Sequence, residues 1–157
     1  MSNLYPNRML YSKRSPGTQL NLSFTSHDPE APKQFEKYAK NHIELAKTSF
    51  GFDLSYDLAS IAKLDQMIDG IGKPKYPEQM ILLFGSFLGE AFRHLFDGRW
   101  VWNEQFKSWA IVFPSAKGKE EGAFVFAKVQ KRFNNGMEDS LSFYGKVTDS
   151  IAKGRIP

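Results

Sequence analysis

Cysteine is absent from the 157-residue chain, which removes disulfides, thiolate zinc sites and cysteine nucleophiles together. Histidine is scarce: His27, His42 and His94 are the full set, with no His-Glu-x-x-His run and no paired spacing, so no metal is expected. Long apolar runs are missing too. The longest, around Met80 to Leu88, falls far short of the ~20 residues that a membrane span needs. The opening MSNLYPNRMLYSKRSPG has no apolar stretch of signal-peptide length and no small-residue cleavage site. These absences lead to the expectation of a soluble cytoplasmic protein. Gly118 and Gly122 lack the Gly-Lys-Ser/Thr ending of a phosphate-binding loop, and no Gly-x-Ser-x-Gly elbow occurs. No cofactor is expected.

Charge is modest at +4 overall but uneven. Residues 1–16 carry Arg8, Lys13 and Arg14 with no acid; residues 17–116 hold ten basic against twelve acidic side chains; residues 117–157 hold eight against five. Basic ends can attract phosphate. Lys128, Lys131 and Arg132, with Lys146, Lys153 and Arg155, form only a small basic face, which reads as solvated. Nucleic-acid binders carry stronger charge and a recognisable reading element, so specific nucleic-acid binding is not expected.

What the chain does have is aromatic mass, 15% of residues including 14 Phe, enough to build a core largely from rings. Residues 1–17 read as a loose basic arm, with Pro6, Pro16 and Gly17. A single domain over 18–157 follows. Gln19 to Phe24 alternates polar and apolar like a half-buried strand, and Asp28 before Pro29 is placed as a helix cap. From Glu30 to Phe50 the pattern is helical: Phe35, Tyr38, Ala39, His42, Leu45 and Ala46 share one face, and Gly51 stops it. A second helix is predicted at about Asp57 to Ile71. Asp65 and Asp69 lie on one of its faces and read as a solvated edge. The third helix, Glu78 to Phe96, is apolar on nearly every side and must be buried on most of them.

Two strands follow at Arg99–Asn103 and Ser108–Phe113, then a charged loop from Ser115 to Gly122, a short strand at Ala123–Phe126, and closing helices at Ala127–Phe133 and Glu138–Ala152. Helices preceding antiparallel strands define an α+β fold: a central apolar helix on a sheet of three to four strands.

Three groups of residues are candidates for function. Gly85 and Gly89 sit inside the central helix, where each Gly costs about 1 kcal/mol relative to Ala; close approach of a neighbour explains this better than a ligand on bare backbone. Glu90, Arg93 and His94 lie at i, i+3 and i+4 and share a face. Glu90 beside His94 could act in general acid–base chemistry, whereas a structural Glu–Arg pair explains the same residues more simply; Asp97 and Arg99 are near enough in sequence to join. His42, alone on an apolar stripe, is expected to be a hydrogen-bonded core residue. Finally, Trp100 is assigned to the core, while Trp102, Phe106 and Trp109, with the loop from Ser115 to Gly122, make the candidate binding surface.

Leu64-Asp65, then Phe87-Leu88-Gly89-Glu90, then Gly98-Arg99-Trp100 resembles a group of uncharacterised bacterial domains with a Leu-Asp helix, a Leu-Gly-Glu helix and a Gly-Arg-Trp strand start. Val129 to Phe133, Asn135-Gly136 and Ser140 to Tyr144 resemble that group's ending, so the likeness spans about residues 53–150. The resemblance implies an α+β fold, a bacterial or phage origin and no particular chemistry; some small proteins of this look are immunity partners of toxins. The resulting expectation is a non-catalytic module that binds another protein. The alternatives are a small-molecule-binding or hydrolytic enzyme using Glu90 with Arg93, His94 or Arg99, and, more weakly, non-specific nucleic-acid binding.

Overall fold

The computed structural model describes residues 26–155. The predicted basic arm and the strand at Gln19–Phe24 lie outside the described residues. Helix α1 spans Ala31–Leu45 and continues as a five-residue π-turn, Ala46–Phe50, that Gly51 ends at φ 72°. Asp28 does not cap α1; its Oδ1 instead accepts from the Glu30 amide at 2.9 Å, making the turn before the helix. Helix α2, Leu58–Ile71, is capped by Asp57, whose side chain accepts from the Ser60 amide at 2.8 Å.

Helix α3, Pro77–Phe96, begins at a proline, whose missing N–H costs nothing in a first turn. Every residue from Met80 to Phe92 is buried, as the all-round apolar pattern requires. α1 packs along it most extensively, and α4 and the sheet also pack on it.

Strands β1 (Arg99–Asn103), β2 (Ser108–Pro114) and β3 (Glu120–Ala123) form an antiparallel sheet in the order β1-β2-β3. Trp102 pairs with Trp109, Trp100 with Ile111, and Ile111 with Ala123. Directly paired residues point to the same face, so these side chains line the side covered by the helices. Phe35 of α1 meets both Trp100 and Trp109 there, at ring separations of 4.6 and 6.1 Å.

Helices α4 (Val125–Asn135) and α5 (Leu141–Ala152) close the fold, joined by a 3-10 turn at Gly136–Asp139. The fold is α+β. The predicted third strand is displaced: residues assigned to a loop form β3, while Val125 and Phe126 belong to α4. Val125, Phe126 and Val129 recur at helical spacing, and β3 carries Glu120 and Glu121, as an edge strand that resists further pairing does. Among the described residues no helix is long and apolar enough to cross a membrane.

Candidate functional site

Gly89, Glu90 and Trp100 form one unit. A Cβ on Gly89 would collide with the six-membered ring of Trp100, and one on Gly85 would collide with Phe126. Both glycines therefore let rings lie against bare helix backbone, the packing reason expected from sequence. The same indole that fills the Gly89 notch donates its Nε1–H to Glu90 Oε2 at 2.8 Å. Arg93 grips the carboxylate from one turn on, Nε donating to Oε2 at 3.0 Å and Nη2 to Oε1 at 3.3 Å.

Glu90 is 1% exposed, a position no carboxylate holds without such partners. Its hydrogen bond and charge in turn hold the Arg93 guanidinium above its usual range. His94 Nε2 stands 3.9 Å from Oε1, outside hydrogen-bond range, and its ring stacks on Tyr56 at 4.6 Å. Burial, then the charges of Glu90 and Glu36, push the Tyr56 hydroxyl up to about 12.

Of the four residues of the enzyme alternative, Glu90, Arg93 and Arg99 line one depression, while His94 stands beside Glu90 outside that lining. Arg99, expected near Glu90, turns to β3 and pairs with Glu120 through two contacts, 3.0 and 2.8 Å; Asp97 instead ends α3 in the left-handed conformation, φ 57°. Above Glu90 lies an open depression of about 270 Å³ where the start of α1, the end of α3 and β1 meet. Glu90 and Arg93 form its floor, and Glu36 of α1 stands on its wall. Glu36 and Tyr56 carried no signal in the sequence, since nothing in their spacing ties them to Glu90.

The aromatic surface also divides. Trp109 is 6% exposed and donates its Nε1–H to the Ser26 carbonyl at 2.8 Å, so it belongs to the core. Trp102 is half-buried, stacked on His27 at 4.8 Å, with its Nε1–H given to Glu104. Phe106 is 62% exposed at the tip of the β1–β2 hairpin. That tip is firmly built: Asn103 Oδ1 accepts from the Phe106 amide at 2.8 Å, Lys107 takes φ 51°, and Lys107 pairs with Glu104.

Two polar residues placed on solvated faces are in fact buried. Asp65 and Arg132 are 4% and 2% exposed. Asp65 receives Arg132 Nε at 2.8 Å, the Ser140 hydroxyl at 3.0 Å and the Leu141 and Ser142 amides at 3.0 and 2.9 Å. A carboxylate of α2 thus caps α5 while holding α4. Arg132 also bonds Asp69 at 2.7 Å; burial alone would lower its guanidinium, but the two acids raise it overall.

The basic face is further reduced by Lys128 pairing with Asp139 and Lys153 with Asp149, each at 2.9 Å. His42 is fully buried beside Phe84, ring centroids 4.2 Å apart, but among the described residues neither of its nitrogens has a hydrogen-bond partner, contrary to expectation. Among the described residues no group of three metal-ligating side chains converges.

Compared with protein-family models, with curated proteins and with solved structures, the chain matches none.

Proposed function

We propose that this protein is a non-catalytic cytoplasmic module that acts by binding another protein, of the kind an immunity partner exemplifies, through the β1–β2 hairpin. The observation that carries this reading is Phe106, a large apolar ring left 62% exposed on a turn that hydrogen bonds hold in place. A rigid exposed ring loses little conformational freedom when a partner covers it, and buried aromatics dominate such contacts. Trp102 extends the surface beside it, and Trp109 supports it from the core.

The Glu90 network favours the same reading. Its oxygens already accept from Arg93 and Trp100, whereas a general base needs a lone pair within reach of a substrate proton. The pairing of Lys128 and Lys153 and the burial of Arg132 weigh against a nucleic-acid surface.

The test is a photoreactive residue at position 106, with one at exposed Lys40 as control, in cells that make the protein. A discrete protein adduct from position 106, absent from position 40 and lost on Trp102→Ala, is expected. The same adducts from both positions, or none from 106, would overturn the reading.

A further inference from the structure

We infer that the depression over Glu90 is a separate small-molecule site that takes a zwitterion the size of a free amino acid, its carboxylate on Arg93 and its ammonium on Glu36. Size sets the first limit. The opening is about 270 Å³, below the roughly 300–1,000 Å³ of sites for drug-sized ligands. Charge sets the second. Arg93 spends Nε and one Nη2 hydrogen on Glu90, and a guanidinium has five donors. Its Nη1 edge stays free among the described residues, on a group whose plane a buried carboxylate already fixes. A ligand carboxylate there meets a donor that needs no further ordering.

Glu36 is the counterpart. It lines the same depression with no hydrogen bond or ion pair among the described residues, and its charge acts on both Arg93 and Tyr56. The two other cations at the rim are engaged elsewhere, Lys33 with Glu30 at 3.2 Å and Arg99 with Glu120 at 2.8 Å. A simple anion would enter against the unpaired charge of Glu36, and a simple cation would leave the free Nη1 donors of Arg93 unmet. A molecule carrying both charges a few ångströms apart satisfies both groups. Pro32 and Trp100 supply the apolar remainder, which suits a short aliphatic side chain.

The Trp100 Nε1–H reports directly on this floor. ¹⁵N-labelled protein is titrated with L-alanine, and separately with acetate, methylamine and inorganic phosphate, following the Trp100 indole and Arg93 Nε resonances. L-Alanine should give saturable shifts at millimolar concentration, with the three single-charge probes at least about tenfold weaker. Glu36→Gln should weaken L-alanine by a similar factor while leaving the melting temperature unchanged, because Glu36 is exposed and unpaired. Acetate or phosphate equal to L-alanine would make this an anion site, and methylamine equal to it a cation site. Either result, or no saturable shift, or an indifferent Glu36→Gln, overturns the proposal. Crosslinking through position 106 is a different measurement and is unaffected by the outcome.

Discussion

Trp100 makes two demands on α3 at successive residues: the missing side chain of Gly89 gives its ring a place, and Glu90 gives its N–H an acceptor. Replacing a helical Gly by Ala ordinarily gains about 1 kcal/mol. Here the sign should reverse, because overpacking a filled notch costs about 1–3 kcal/mol. Gly89→Ala is therefore expected to lower stability in urea, and to do so far less when Trp100 is Ala, a coupling that a double-mutant cycle measures. A stabilised single variant would mean that the indole does not press on the helix. Glu90→Gln keeps an acceptor for the indole but leaves Arg93 without its charge partner, and should cost about 1–3 kcal/mol, read from the same urea curves. The spacing of Glu90 and Arg93 made their pairing legible in the sequence. The indole's part was not, since a tryptophan ten residues away gives no sign of which way its N–H points.

Elements meet here through side chains that local pattern misjudges. The period of α3 and the β-branched and aromatic runs of β1 and β2 were legible because each of these elements buries apolar side chains at its own spacing. β3 hides behind its two glutamates, since Ala123 alone of its four residues is buried. Asp65 and Arg132 looked like surface charges because their partners stand 63 and more residues apart in the chain. Leaving one half of such a buried pair alone costs about 3–5 kcal/mol. Arg132→Met should fall in that range by chemical denaturation, Asp65→Asn should fall nearby, and the double variant should lose much less than the sum. Additive losses would show that the pair does not act as a unit. Ser140→Ala, which removes the local cap of α5, should cost about 1 kcal/mol.

Over the whole molecule, pH acts through His42. Burial pulls its pKa from 6.5 down to about 3. Between those values the unfolded chain binds a proton that the folded chain refuses. The contribution of His42 to stability is thus complete above pH 6.5 and is lost as pH falls toward 3. At about 1.4 kcal/mol per unit, the loss reaches about 2–3 kcal/mol by roughly pH 4.5. His42→Leu should flatten that part of the stability–pH curve; a curve parallel to that of the unmodified protein would show that His42 takes up a proton while folded.

The burial of Met80 to Phe92 on every side has a kinetic meaning as well. An amide exchanges its hydrogen for deuterium only when water reaches it, and a helix edge bordering solvent can open a turn at a time. The middle of α3 has no such edge, because α1, α4 and the sheet lie around it. Its amides can exchange only when the entire molecule opens. The slowest-exchanging hydrogens of this protein will be those of α3, and the free energy they report will equal that of global unfolding.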